Sequence, residues 1–161
     1  MTEETNFERM MQVIDEVFAT RNDPDQLQVS EQVIEKLQRI HPATLAEYNE
    51  GSGPIVWILT IPTTTDVMNR FLTGSISEQQ LFDLTEPGMN YEAICLCSAT
   101  VLPEYRGKGL AKKLCLEAIE SIRKEHPIKA LFVWPFTTGG DALADSIARE
   151  TGLPLLKREK E

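Results

Sequence analysis

The sequence predicts an α/β (α+β) domain, a sheet flanked by helices, on three observations. Residues 91–134 run as an apolar strand, a glycine-containing turn, an amphipathic helix and a second apolar strand. Two strands joined by one helix in a single sheet form a parallel pair with a right-handed crossover. Residues 55–61, Ile-Val-Trp-Ile-Leu-Thr-Ile, are short, β-branched and nearly all apolar, the signature of a buried strand. Helical periodicity occupies both ends of the chain. A length of 161 residues suits a single domain, 1–161, with its own core.

Phe7, Met10, Met11, Ile14, Val17 and Phe18 recur at helical spacing and predict an amphipathic first helix, broken at Asn22-Asp23-Pro24-Asp25. Leu27, Val33, Ile34, Leu37 and Ile40 predict a second, stopped at His41-Pro42 because a residue before proline leaves the α region. A polar turn over 49–54 leads into the 55–61 strand. Residues 62–90 read as helical: Asp66 caps a short helix through Leu72, and Ser77-x-x-Gln80 is a capping box opening another with Leu81, Phe82 and Leu84 on its apolar side. Pro87-Gly88 turns the chain into the central strand, 91–101. In the helix that follows, Leu110, Leu114, Ala118 and Ile122 recur at steps of four, with Ala111, Cys115 and Ile119 beside them and Lys112, Lys113, Glu120, Arg123 and Lys124 on the wetter side. It ends near His126-Pro127. The 130–134 strand comes next, then a last helix over 141–150 with Gly152 past its end, and a short strand over 153–156 before a charged tail. No repeat, low-complexity tract or linker interrupts the chain.

The net charge is −9, from 25 acidic and 16 basic residues. Such a surface repels nucleic acid and anionic membranes, so neither is an expected partner. No apolar run reaches the roughly 18–20 residues that cross a bilayer. Residues 1–20 carry five acidic groups and lack the basic start and apolar core of a signal peptide. Three cysteines, an odd number, argue against a disulfide framework and for a reducing, cytoplasmic setting. Cys95 and Cys97 share one strand face and Cys115 lies on a helix, all read as packing. His41 and His126 are the only histidines and neither stands near a C-x-x-C, so no metal site is expected.

The chemistry concentrates in Leu102-Pro103-Glu104-Tyr105-Arg106-Gly107-Lys108-Gly109-Leu110-Ala111. Glycines there let the backbone come close to a ligand, and the unpaired N–H groups at the helix start face an anion. Arg106, Lys108, Lys112 and Lys113 sit at that same helix start, where cations oppose the macrodipole by about 0.3–1 kcal/mol each unless an anion binds. Other glycine loops fit poorly. No lysine followed by Ser or Thr completes a P-loop, and Lys112 stands where a dinucleotide fingerprint needs Gly or Ala. A tight strand-to-helix turn with a solvated basic rim is the plain structural alternative.

The segment resembles motif A of the GNAT N-acetyltransferases, whose pattern is Q/R-x-x-G-x-G/A after a Val-x-Pro at a strand-to-helix junction. Here Val101-Leu102-Pro103 is followed by Glu104-x-x-Gly107-x-Gly109, so Glu104 replaces the usual Gln or Arg. The last helix is similar too: Asp141, Ala144, Ile147, Ala148, Gly152 and Leu153 fall on a pattern that reads N-x-x-A-x-x-L-Y-x-x-x-G-F. The likeness covers residues 91–153 and is weaker upstream, where the family has an early strand and two antiparallel strands ahead of the central one. The sequence is expected to end before the family's last strand.

The resemblance implies a GNAT-like mixed central sheet with splayed parallel strands. It implies acetyl-coenzyme A as co-substrate and transfer of its acetyl group to a primary amine by direct attack in a ternary complex. Val101 and Leu102 would meet the pantetheine arm, and the N–H groups of Arg106, Gly107, Lys108, Gly109, Leu110 and Ala111 the pyrophosphate. Arg106, Lys108 or Lys112 would reach the remaining phosphate charge. Trp134-Pro135-Phe136 would wall the thioester, with Thr137 and Thr138 near its mouth.

The acceptor amine must lose a proton, since a free alkylamine has a pKa of about 10.4. Glu92, at the start of the central strand, is the candidate base, directly or through water; a solvated strand-end carboxylate is its plain alternative. A free N–H near Ala99 to Val101 would meet the oxyanion. The family's acid is a tyrosine on the last helix, and Ala148 holds that position here. Three routes stay open: another hydroxyl acts, with Ser146, Tyr91 or Tyr105 nearest; water protonates the thiolate; or the domain is a non-catalytic acyl-coenzyme A-binding module. The acceptor and the oligomeric state are also open, with a homodimer through edge strands or helices as one arrangement.

Overall fold

The computed structural model describes residues 8–9, 12, 31–51, 53–134 and 138–158. The amphipathic helix expected from Phe7 to Phe18, the break at 22–25 and the Pro135-Phe136-Thr137 stretch lie outside the described residues, apart from Glu8, Arg9 and Gln12, which are helical.

The described chain opens with helix α1 (Glu31–Ile40), which ends as expected before His41-Pro42. Strands β1 (Leu45–Glu50) and β2 (Gly53–Thr63) come next as an antiparallel pair. Sequence reasoning found β2 and missed β1. Only Leu45, Ala46 and Tyr48 in β1 are apolar, because it is a sheet edge with one wet side: Glu47 reaches across to the Trp57 indole N–H at 2.8 Å, and the Tyr48 hydroxyl donates to Glu117.

Helices α2 (Thr65–Leu72) and α3 (Glu78–Leu84) confirm the helical reading of 62–90. The cap of α2 is Thr64, whose hydroxyl accepts from the Val67 N–H, and not Asp66, which lies in the first turn. Thr64 has the extended backbone that a cap requires, whereas Asp66 is already helical. The capping box of α3 is formed as predicted: the Ser77 hydroxyl accepts from the Gln80 N–H, and the Gln80 side chain accepts from the Ser77 N–H.

The central strand β3 (Ala93–Val101) pairs antiparallel with β2 on one side. Helix α4 (Leu110–Arg123), strand β4 (Ala130–Val133), helix α5 (Thr138–Thr151) and strand β5 (Leu155–Lys157) complete the described chain. The sheet order is β1-β2-β3-β4-β5, antiparallel across the first three strands and parallel across the last three. This is the expected mixed α/β architecture.

Side chains alternate across the sheet, as period-two strands must. On one face Leu59, Ile61, Ala93, Cys95 and Phe132 pack with Val33 and Leu37 of α1, Phe71 of α2 and Leu81 of α3. On the other, Val56, Ile58, Ile94 and Leu131 pack with Leu114, Cys115, Ile119 and Ile122 of α4 and Ile147 of α5. Each fully buried side chain of this kind is worth about 1.5–3 kcal/mol in removal from water.

Two irregularities of β3 set the shape of the sheet's centre. Thr60 pairs with Leu96 and Leu59 with Ser98, so Cys97 has no partner on β2 and forms a bulge. On its other edge β3 pairs with β4 only at Ala93, Ile94 and Cys95. From Leu96 to Val101 the strand continues while β4 leaves it. The splayed parallel pair expected from the resemblance is present.

Candidate active site

The opening between β3 and β4 leads to the glycine turn. Pro103–Tyr105 form one turn of 3₁₀ helix, with the Tyr105 N–H on the Leu102 carbonyl and the Arg106 N–H on the Pro103 carbonyl. Gly107 (φ +78°) and Gly109 (φ +75°) then take left-handed backbone, and Gly109 caps α4 without a side-chain hydrogen bond. The first helical bond runs from the Lys113 N–H to the Gly109 carbonyl. Among the described residues, no acceptor engages the amides from Gly107 to Lys112. Six consecutive backbone donors therefore meet at a helix start, where the macrodipole adds positive potential.

A cavity of about 160 Å³ lies against them, lined by Val101, residues 105–107 and 109–112, and Leu143 of α5. It brings together six of the eight residues expected to hold the cofactor: Val101, Arg106, Gly107, Gly109, Leu110 and Ala111. Leu102 is turned away. Its side chain is fully buried, its N–H donates to the Ile55 carbonyl and its carbonyl accepts from Tyr105, so it has no backbone donor left for a ligand. Arg106 offers its side chain but not its amide, and its Nε donates to the Val101 carbonyl at 3.1 Å. Lys108 stands outside the cavity lining, with its ammonium 5.5 Å from the centre of the Tyr105 ring. Lys112 pairs with Glu150 at 3.2 Å, while Lys108 and Lys113 have no carboxylate partner among the described residues.

The residues expected to move protons are more scattered. Glu92 lies at the closed end of the parallel pair, where its N–H and carbonyl bridge Thr63 and Lys129, and its carboxylate meets the Lys129 ammonium at 3.4 Å. Five residues separate it from the bulge, about 16 Å along a strand. The structure does not bring it to the opening. Ser146 is half-buried on α5, rotated about 200° from the buried Ala144. Ala148 packs against the core. Tyr91 is fully buried, and its hydroxyl donates to the Glu86 carbonyl at 2.6 Å; burial and the Glu86 carboxylate push its pKa up. Tyr105 is half-buried under Lys108.

Glu78 is an acidic residue that sequence reasoning passed over. It opens α3 inside the capping box and is only 8% exposed. The Cys97 thiol registers it. A hydrogen bond to the Cys95 sulfur at 3.3 Å, burial and the Glu78 charge together hold the Cys97 pKa well above the usual thiol range. A protonated Cys97 is a poor nucleophile. The only sequence signal for Glu78 was its place in the capping box; its approach to residue 97 depends on how α3 lies on the sheet.

Residues 72–144 match the family model described as Acetyltransferase (GNAT) family, beginning upstream of the central strand. The GNAT resemblance is borne out. The fold agrees with it. A structure of the NatB acetyltransferase complex bound to a bisubstrate inhibitor superposes with a TM-score of 0.52 at 16% identity, over 79% of this chain and 62% of that one. Less than two thirds of that neighbour's length is thus spanned. Also similar are NatB bound to CoA and MES (TM-score 0.49, 18% identity, 80% and 71% covered) and Chaetomium thermophilum Naa20 with a bisubstrate analogue (0.48, 16%, 86% and 65%). No curated protein matches the chain. Among the described residues no group of three His, Cys, Asp or Glu could hold a metal ion, and no helix is long and apolar enough to cross a membrane.

Proposed function

We propose that this GNAT-type protein transfers an acetyl group from acetyl-coenzyme A to a primary amine. The observation that carries the reading is the run of unengaged amides from Gly107 to Lys112, beside a central strand that has no strand partner on its β4 side from Leu96 to Val101. A diphosphate suits the first feature, because backbone N–H groups and the α4 dipole meet it together. An extended amide-bearing arm suits the second, adding to β3 as another strand would. Lys108 and Lys113 supply charge for the remaining phosphate. The neighbour with a bisubstrate inhibitor supports a fold in which two substrates meet.

The amine nitrogen attacks the thioester carbonyl carbon, the C–S bond breaks, and the thiolate leaves. Backbone N–H groups on the β4 side of β3 face the charge that develops on the carbonyl oxygen. The amine proton needs a base near the bulge. Glu78 is our candidate for this role, because its charge acts on Cys97 at the bulge, whereas Glu92 lies about 16 Å from the bulge along the strand. With Ala148 in the usual acid position, water protonates the thiolate. Ser146 lies away from the buried side of α5 and is not among the residues that line the cavity.

Ala148 also favours a second reading, a module that binds acyl-coenzyme A without turnover. Thiol release from acetyl-coenzyme A over a panel of polyamines, aminoglycosides and peptides separates the two. The transferase reading predicts release with at least one amine, and a fall of about 10²–10⁴-fold in Glu78→Gln with coenzyme A binding retained. Binding with no release on any amine selects the module.

A further inference from the structure

Glu104 is the only acidic residue between Val101 and Leu116, and it stands three residues before the first free amide. A half-exposed carboxylate there repels the polyanion that the amides attract. The structure pairs it with a residue from far away in the sequence. The Arg9 guanidinium meets the Glu104 carboxylate at 2.6 Å, 95 residues apart. Resting on the coenzyme A reading of the turn, we infer that Arg9 is a positioning residue of the cofactor site, one that neutralises Glu104 so that the turn can accept phosphate.

The arrangement has a checkable electrical consequence. A glutamate is charged throughout the neutral range, and Arg9 holds the Glu104 carboxyl still lower than its ordinary pKa, so its neutralisation falls to Arg9. With both residues present, the local charge of the pair is zero. Removing Arg9 leaves −1 beside the diphosphate, removing the Glu104 charge leaves +1, and removing both restores zero. A merely structural tie between Arg9 and the turn behaves differently, because either single change breaks it equally.

Coenzyme A titrated into the full chain by calorimetry distinguishes these cases for wild type, Arg9→Ala, Glu104→Gln and the double variant, with thermal melts to check folding. The expected order is Glu104→Gln at least as tight as wild type, the double variant close to wild type, and Arg9→Ala weaker by roughly three- to tenfold at low salt, the range for one screened charge near a phosphate. The Arg9→Ala deficit should shrink in about 0.5 M salt, where the screening length is only a few ångströms. Equal losses in both single variants, or no loss in Arg9→Ala, overturn the inference while leaving the coenzyme A reading intact. No binding by wild type removes that reading, and the inference with it.

Discussion

The residues of this site differ in how much of their behaviour is written locally. Gly107 and Gly109 were legible because a left-handed backbone between a strand and a helix needs glycine, whatever surrounds it. Leu102 was less legible, because its place in the motif says nothing of where its backbone groups point: its N–H goes to Ile55 and its carbonyl to the 3₁₀ turn. The roles proposed for Glu78 and Arg9 were invisible in the sequence, since each depends on a partner set by tertiary packing. Cys115 gives the clearest pH prediction. Burial on α4 pushes its pKa from 9.0 up to about 12, whereas in the unfolded chain it ionises near the ordinary value. Below pH 9 both states hold the proton. Between pH 9 and 12 only the unfolded chain releases it, so this residue's contribution falls by up to about 1.4 kcal/mol per pH unit. Urea unfolding at about pH 8 and about pH 10 should show wild type losing about that much more stability than Cys115→Ala. Equal losses would contradict the buried, protonated thiol.

At the scale of elements, the glycine turn and α4 form one device. Hydrophobic spacing fixed the apolar face of α4, and the glycines fixed its entry. Gly109 is the position where the two meet, and a Cβ built there contacts nothing within 4 Å. Gly109→Val therefore has room for its side chain in the free protein. It costs about 1–2 kcal/mol for left-handed backbone, and its branched side chain fills the space the ligand phosphate needs. Calorimetry should show coenzyme A binding lost while the melt keeps a cooperative transition. Unchanged affinity would count heavily against the turn as the phosphate site. Other elements were less open to sequence reading. The capping box named the start of α3 because both partners lie within four residues. Strand β1 escaped because an edge strand with one wet face carries too few apolar residues to announce itself. The bulge is a property of pairing, and nothing in Cys95-Leu96-Cys97-Ser98 alone marks which residue is left over.

At the scale of the whole molecule, function depends on the change of strand direction at the centre of the sheet. Antiparallel β1-β2-β3 gives a firm platform, and α1, α2 and α3 fix one face of it. The parallel strands β4 and β5 hold α4 and α5 against the other face. Parallel pairing stops after three residues, so the two halves separate along the length of β3 nearest the free amides. The parallel pair and its crossover were readable from 91–134, and the splay came from the family resemblance. The proposed cofactor site stands on the amides of residues 107–112 gripping a diphosphate. A ¹⁵N-labelled sample titrated with coenzyme A and followed by amide chemical shifts tests that directly. Saturable shifts should concentrate at residues 107–112, with a second group along 96–101. Saturable binding whose shifts fall elsewhere, or unchanged amides at millimolar coenzyme A, would contradict it.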